Sequence, residues 1–286
     1  MPKQVALSLY NRERLFQIFK YTVYFMLFIN IFYWAREDYL AASHTFRGGI
    51  GWQHIGDAFA QAVDTIAWFS LLILFELETY AISDEKLTAQ LKWVLNTLAG
   101  LCYLLIVIAF FGYINKVAMV YNFTALPITD ACGAIGDYLS YAVGLDDYTA
   151  LTPETCSSLA GPFYGNSDAS LLATATIHET LQWLAAAEAF NAAVWVLIVL
   201  FLWIDLFLQL NGEDRGPLYK INITCKAILY ASLIAVCIYF AFEADFMEFW
   251  DAFLWIIAFF FIEMNMFQWA EETHETLKLE NIDEKA

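Results

Sequence analysis

One polar pattern occurs three times along the chain, and it combines carboxylates, amides and a tryptophan at fixed spacing. Each copy begins with an acid or an amide. A second acid or amide follows three residues later, and a tryptophan follows four residues after that. Two more residues, polar in most cases, stand eight and ten positions after the tryptophan. Clustered acids share protons or recruit a positive ion. The pattern therefore predicts binding or transfer of a cation.

The three copies have the same register and lie about sixty or more residues apart. They are Gln61, Asp64, Trp68, Glu76 and Glu78; Glu188, Asn191, Trp195, Trp203 and Asp205; and Glu248, Asp251, Trp255, Glu263 and Asn265. Self-similarity of this kind indicates an internal repeat, and membrane transporters are often built from such repeats. We expect a threefold duplication.

Helical geometry places each copy on one side of a helix. At 100° per residue, the first three positions fall within about 60° of one another and the last two flank them. Each helix then carries two polar levels with an apolar stretch between. We expect an outer level that binds or selects the ion, formed by Gln61, Asp64, Glu188, Asn191, Glu248 and Asp251. The inner acidic level comprises Glu76, Glu78, Asp205, Glu263 and Asn265.

Trp68, Trp195 and Trp255 lie between the two levels on the same face. Packing is the ordinary role of a buried tryptophan, because its large ring excludes much water. A gate in the apolar middle of an ion pathway is the alternative role.

The inner level also has a purely architectural explanation. A lysine stands near the start of each odd-numbered apolar segment, and each could pair with an inner acid. The lysines are Lys20, Lys92 and Lys226, and the acids are Glu76, Asp205 and Glu263. Three such ion pairs would hold helical hairpins together without moving an ion. The outer level is expected to lack a basic partner, because the even-numbered segments contain no Lys or Arg.

The elements that position these residues must be membrane helices. The 286 residues are 60% hydrophobic and 18% aromatic, with a mean hydropathy of +0.54, whereas soluble domains are about 45–50% apolar. Six apolar segments are long enough to span a bilayer. They are 17–36, 57–80, 92–115, 186–210, 225–243 and 248–270. We expect an all-α integral membrane protein with six transmembrane helices in three two-helix repeats, pseudo-threefold, with the even-numbered helices inside.

The distribution of basic residues predicts the orientation. With a cytoplasmic N-terminus, 11 Lys and Arg lie inside and 3 outside, which agrees with the positive-inside rule. Both termini are then cytoplasmic, in a plasma membrane or a bacterial inner membrane. The chain divides into an amphipathic N-terminus (1–16), three repeats (17–86, 87–215 and 216–270) and an acidic tail (271–286).

The loop 116–185 is predicted to form a small extracytoplasmic cap. Its only cysteines, Cys132 and Cys156, are expected to form a disulfide in an oxidising compartment, and 127–147 has the pattern of short amphipathic helices. No Lys or Arg occurs from Val117 to Asp214, and the net charge of the chain is −17. Such a surface repels nucleic acid and attracts cations.

Two functions follow from these features. The first is a cation pathway, as a channel or an ion-coupled transporter for Na⁺, H⁺ or Ca²⁺. The second is a non-catalytic accessory or scaffold subunit that docks through its acidic cap. The expected partners are the lipid bilayer, inorganic cations, and further copies or a larger membrane complex. No enzyme is expected, because hydrolase and nucleotide-binding motifs are missing from the sequence.

No cofactor or bound metal centre is expected either. An outer-face metal site is conceivable from two histidines and their neighbouring acids, namely His54, Asp57, His178 and Glu179. Exposed histidines at the membrane interface are the simpler interpretation of these residues.

Overall fold

The structure is a computed structural model that describes residues 2–82, 88–210 and 216–262. It is mostly helical. The helices are α1 (Pro2–Thr45), α2 (Ile55–Ala58), α3 (Ala60–Glu76), α4 (Ala89–Tyr121), α5 (Ala175–Leu210), α6 (Pro217–Glu243) and α7 (246–262). A short π-helical turn, Leu77–Ala81, continues α3.

Five helical segments within the described residues are long and apolar enough to cross a membrane. They are Arg14–Thr45, Ala60–Thr79, Ala89–Tyr121, Ala175–Leu208 and Pro217–Glu243. The predicted sixth span, 248–270, begins in α7, and its last part lies outside the described residues. The chain therefore has the helices of a membrane protein, while six spans and a threefold repeat stay predictions.

Burial differs between these segments. In the second and fourth predicted spans, 44% and 39% of the residues in the most apolar stretch are buried, against 22–28% in the other three segments. The polar copies that begin at Gln61 and Glu188 thus lie on the two more buried helices. Intramembrane carboxylates are expected to avoid lipid in this way.

The described residues divide into two compact units. The first contains those of Met1–Asn30, Leu72–Leu95 and Val196–Ala286, and the second contains Ile31–Leu71 and Asn96–Trp195. Long helices such as α1, α4 and α5 contribute residues to both.

Small residues bring the helices of the second unit close together. Ala60, Tyr113, Ala189 and Ala192 form a buried cluster on α3, α4 and α5. A short break separates α2 from α3 at Phe59, where the backbone leaves the helical region (φ −133°, ψ 39°). Because of this break, Gly56 of α2 packs closely against α4.

The cap is a five-stranded sheet in the second unit. Its strands are β1 (Thr124–Leu126), β2 (Ser140–Ala142), β3 (Tyr148–Ala150), β4 (Phe163–Asn166) and β5 (Leu171–Thr174), in the spatial order β1-β4-β5-β2-β3. Only the β2–β5 pair is parallel among these strands. In the central β4–β5 pair, Phe163 lies opposite Thr174.

The sheet corrects two predictions, the all-α fold class and the short helices over 127–147. That segment forms a 3₁₀ turn at Ala131–Ala134 and strand β2. Strand β2 pairs with β5, about thirty residues further along the chain. A local helical pattern was overridden here by tertiary pairing, which a short-range pattern cannot reveal.

The predicted disulfide is confirmed, since Cys132 and Cys156 are bonded. It crosses the core of the cap, which contains Phe163, Leu172 and Leu151 among its buried residues. The bond therefore ties the turn before β2 to the segment after β3.

Side-chain contacts of Ser140, Asn166 and His178 attach the sheet to the helices of its unit. Ser140 is fully buried, and its hydroxyl contacts His44 Nδ1 at 2.8 Å and accepts a hydrogen bond from Arg47. Asn166 Nδ2 donates to the carbonyl of Met119 at 2.9 Å. His178 of α5 stacks on Tyr164 of β4, and its Nε2 lies 3.3 Å from the carbonyl of Val120 on α4. The ends of α1, α4 and α5 are thus held to the sheet.

Candidate functional site

Lys116, near the C-terminal end of α4, is the centre of a buried charged cluster in the second unit. Its Nζ atom lies 2.7 Å from Asp146 Oδ2 and 3.1 Å from Glu188 Oε2, and its side chain is 10% exposed. Asp38 of α1 also interacts electrostatically with it. These four residues, here called the Lys116 cluster, combine three carboxylates with one ammonium.

Asp38 is held in the cluster by the start of α3. Its Oδ2 accepts a hydrogen bond from the backbone N–H of Ala62 at 2.8 Å, and the residue is buried. The first N–H groups of a helix have no acceptor within it, and a carboxylate there is stabilised by the helix dipole. Asp38 therefore caps a neighbouring helix while remaining part of the charged cluster.

Glu188 connects the cluster to the polar pattern of α3. Its Oε1 lies 3.4 Å from Gln61 Nε2, a long hydrogen bond between two buried residues. The Gln61 side-chain oxygen has no hydrogen-bonding partner among the residues that the structure describes. A buried amide oxygen without a donor is costly, so it is a position that an ion or a water molecule would satisfy.

A cavity of about 150 Å³ adjoins the cluster. Asp38, Lys116 and Asp146 line it, together with Asp57, Asn115 and Tyr148. Asp57 accepts a hydrogen bond of 2.7 Å from Asn115 Nδ2. Since one water molecule occupies about 30 Å³ of liquid volume, the cavity has room for several waters or a hydrated ion.

Tyr148 holds the turn that carries Asp146. It is buried, and its hydroxyl donates to the carbonyl of Leu145 at 2.7 Å. Burial, and next the nearby Asp146, raise the pKa of Tyr148 above its ordinary value of 10.0. The phenol is therefore neutral around pH 7 and serves as a donor.

The other outer-level residues lie in different surroundings. Asp64 Oδ2 is 3.5 Å from the hydroxyl of Tyr113, and Asn191 is half-buried. Glu248 and Asp251 belong to the first unit, where Asp251 Oδ1 accepts a 2.6 Å hydrogen bond from Asn30. Of the predicted outer level, the structure thus brings Gln61 and Glu188 into contact.

The expectation that the outer level lacks a basic partner is wrong. The ammonium of Lys116 contacts Glu188 directly. The second, fourth and sixth predicted spans contain no Lys or Arg, but Lys116 on α4 reaches across to Glu188 on α5. The sequence shows only that Lys116 lies at the end of a span. The direction of its side chain, and therefore its partner, depends on how the helices pack.

Two inner acids are paired with lysines in the first unit. Lys20 Nζ lies 2.5 Å from Glu76 Oε1, which also accepts from the hydroxyl of Tyr21. Lys226 Nζ lies 2.6 Å from Asp205 Oδ2.

The remaining inner residues lie elsewhere. Lys92 and Glu78 are exposed, and Glu263 and Asn265 lie outside the described residues. The two ion pairs described above join α1 to α3 and α6 to α5.

The three pattern tryptophans are all buried. Trp68, Trp195 and Trp255 are each exposed by 7% or less. Their burial agrees with packing, which is the ordinary role of this side chain.

Comparisons with protein-family models, curated proteins and solved structures find no match.

The histidines do not gather around a common centre. His178 is buried and stacks on Tyr164 with ring centroids 4.4 Å apart. His54 Nδ1 lies 3.5 Å from Asp57, three residues further along the chain. Among the described residues, no group of three or more His, Cys, Asp or Glu side chains is arranged to hold a metal ion. His178 is also not the exposed histidine that the sequence suggested.

Sequence reasoning missed Asp38, Asp146 and the role of Lys116. Asp38 falls beyond the predicted end of the first span at residue 36, whereas α1 continues to Thr45. Asp146 belongs to an acidic loop in which no member stands out. A usable signal was present at Lys116, since a lone lysine at the end of a span before a long acidic stretch predicts a local ion pair.

Proposed function

We propose that this chain moves a cation across the membrane, as a channel or an ion-coupled transporter, and that the Lys116 cluster is its ion-binding site. One observation carries the proposal: Asp146 and Glu188 both contact the ammonium of Lys116 beside a cavity of about 150 Å³, and Asp38 also interacts electrostatically with this lysine. Ionisable residues within membrane helices ordinarily mark ion or proton pathways. An excess of negative charge next to open space favours a second cation.

The chemistry of the ligands supports a hard cation. Asp146, Glu188 and Gln61 offer carboxylate and amide oxygens, which Na⁺ and Ca²⁺ prefer. Protons would use the same carboxylates as carriers. Replacing part of an ion's hydration shell with such oxygens is how acidic sites select cations in channels.

The surface of the cap would supply ions to this site. Its exposed acids are Asp130, Asp137, Asp147, Glu154 and Asp168. A surface whose charges all have one sign raises the local concentration of counter-ions. The disulfide of the cap suits an oxidising compartment, so in this proposal the cap is extracytoplasmic and both termini are cytoplasmic.

The inner acids have a different role in this proposal. Glu76 and Asp205 are buried in ion pairs with Lys20 and Lys226. Each of these pairs matches one carboxylate with one lysine, so it has no excess negative charge to attract an ion, whereas the Lys116 cluster has more carboxylates than ammonium groups and adjoins a cavity. We therefore assign these two pairs to helix packing and the Lys116 cluster to transport.

Flux through purified protein in liposomes tests the proposal. Na⁺, K⁺, Ca²⁺ and H⁺ gradients would be applied in turn, with and without a membrane potential. Glu188→Gln removes one carboxylate of the cluster and should reduce flux of the transported ion strongly. Glu179→Gln is the matched control, because Glu179 is exposed and lies on the same helix. Equal flux through both variants and the wild type would refute the assigned site.

The exposed cap acids also favour a second function, an accessory subunit that docks on a basic partner. In that case the wild-type protein carries no ion under any gradient. Its complex in native membranes would shrink on native gels when Asp137, Glu154 and Asp168 are changed to their amides. Unchanged complex size for this triple variant would exclude docking through these acids.

A further inference from the structure

Building on the proposed function, we infer that Lys116 is a tethered competitor of the transported ion. A monovalent metal cation would bind at the oxygens of Gln61, Glu188 and Asp146 by displacing the Lys116 ammonium. The displaced ammonium would move into the adjoining cavity toward Asp57. The ion and the lysine would thus occupy one site in turn.

The charge of the cluster is the first reason. Asp146 and Glu188, which contact Lys116, carry two negative charges when ionised, and Lys116 carries one positive charge. Exchange of one ammonium for one monovalent ion leaves this balance unchanged. The carboxylates that bind Lys116 therefore lose no counter-charge during the exchange. A buried ion pair that lost one partner without replacement would be strongly destabilised.

The buried amide of Gln61 is an independent reason. Gln61 is 5% exposed, and its amide nitrogen faces Glu188 at 3.4 Å. Its oxygen has no hydrogen-bonding partner within the described part of the chain. Lys116 hydrogen-bonds to Asp146 and Glu188 in this structure. An ion bound at Glu188 would give the Gln61 oxygen the positive partner that it lacks.

The cavity supplies a destination for the displaced ammonium. Lys116 and Asp57 both line this cavity of about 150 Å³. Asp57 is half-buried, and it accepts a hydrogen bond from Asn115, the residue before Lys116. A lysine side chain has a flexible four-carbon stem. It can therefore exchange one carboxylate partner for another without movement of α4.

The chemical reactivity of Lys116 tests this exchange in the intact protein. Purified wild-type protein in lipid nanodiscs would be treated with an amine-acylating reagent at constant ionic strength, in Na⁺, K⁺, Li⁺ or N-methylglucamine. Mass spectrometry then measures the acylation rate at each lysine. We expect acylation of Lys116 to rise several-fold with one of the metal cations and to saturate. Lys20 and Lys226, which are also buried in ion pairs, should not respond.

Two variants sharpen the test. Gln61→Leu should shift the rise in Lys116 acylation to higher cation concentration, because one ligand oxygen is lost. Asp57→Asn should diminish the rise, because the displaced ammonium loses its negatively charged partner. Gln53→Leu changes an exposed glutamine near α2 and should leave the response as in the wild type.

The outcomes separate the inference from the proposed function. Flux that depends on Glu188, with acylation of Lys116 independent of every metal cation, overturns the exchange but leaves the transport site standing. A cation-dependent acylation without flux would instead support the binding site and overturn transport. A response of the same size at Lys20 and Lys226 would overturn the exchange, since it would show a general loosening of the protein.

Discussion

The carbonyl oxygen of Gly56 packs so closely on Gly112 that a Cβ atom on Gly112 would clash with it. Helices α2 and α4 therefore pack backbone against backbone, which requires glycine at this point. The same approach places Asp57 and Asn115 within hydrogen-bonding distance beside the cavity. Close packing of these two helices thus shapes one wall of the candidate site.

Gly112→Ala is expected to destabilise the protein. The added methyl group would meet the Gly56 carbonyl and Ala60 Cβ, so a helix must shift. Overpacking of this kind costs about 1–3 kcal/mol of unfolding free energy. Thermal unfolding in detergent measures the loss.

Gly100→Ala is the matched control for this change. Gly100 lies on the same helix, and no heavy atom would lie within 4 Å of its added Cβ. Because alanine favours the helix over glycine by up to about 1 kcal/mol, this variant should be unchanged or slightly more stable. Similar losses in the two variants would contradict the close approach of α2 and α4.

The ion pair between Lys226 and Asp205 predicts that substitutions of two lysines differ in their effect on stability. Lys226→Met leaves Asp205 as a buried carboxylate without its lysine, and should cost about 3–5 kcal/mol of unfolding free energy. Lys92→Met removes an exposed lysine and should change stability by less than about 0.5 kcal/mol. Adding Asp205→Asn to Lys226→Met should restore part of the loss. No restoration in the double variant would argue against a pairwise interaction.

The disulfide predicts a local change in the cap. Replacing Cys132 and Cys156 by serine opens a loop of 24 residues, which is worth about 3 kcal/mol in the chain-entropy account. Proteolysis within 124–174 should become faster, while the helices stay protected. Thiol labelling of the wild type in denaturant should detect Cys102, Cys225 and Cys237 before reduction and all five cysteines afterwards. Labelling of all five without reductant would refute the bond.

The buried Tyr148 predicts that the stability of the folded protein changes at alkaline pH. Burial raises the pKa of its phenol in the folded state, so the stabilisation is complete below about pH 10 and is lost as the pH rises further. Tyr148→Phe should cost about 1 kcal/mol near neutral pH, because the hydrogen bond to Leu145 is lost. Above about pH 10 the difference from the wild type should shrink, since only the wild-type unfolded state can ionise this residue.

Thermal unfolding of both proteins between about pH 7 and about pH 11 measures this convergence. Tyr121→Phe changes an exposed tyrosine and should follow the wild type at every pH. A constant difference between Tyr148→Phe and the wild type over the whole range would contradict the raised pKa.

Much of the helical framework could be predicted from the sequence. The apolar segments beginning at 17, 92 and 225 all fall within long helices, because hydrophobicity over about 20 residues is a local property. The disulfide was also predictable, since two cysteines share one acidic loop. The helical periodicity of the polar pattern correctly indicated that Gln61 and Glu188 are withdrawn from the surface.

The partners of these residues depended on the tertiary structure. Lys116 reaches Glu188 on a neighbouring helix and Asp146 in the cap, and Lys226 pairs with Asp205. Contacts of this kind depend on the rotation and spacing of helices, to which Gly56 and Gly112 contribute through close packing.

The sheet of the cap follows the same principle. Strand β1 pairs with β4 about forty residues further along the chain, so its strands become stable only when distant segments meet. The sequence by itself determined which residues must be buried away from water and which segments form helices, because both properties depend on residues that are close together in the sequence. The tertiary structure decided which charge faces which, because Coulomb and hydrogen-bond energies depend on distances that only packing establishes.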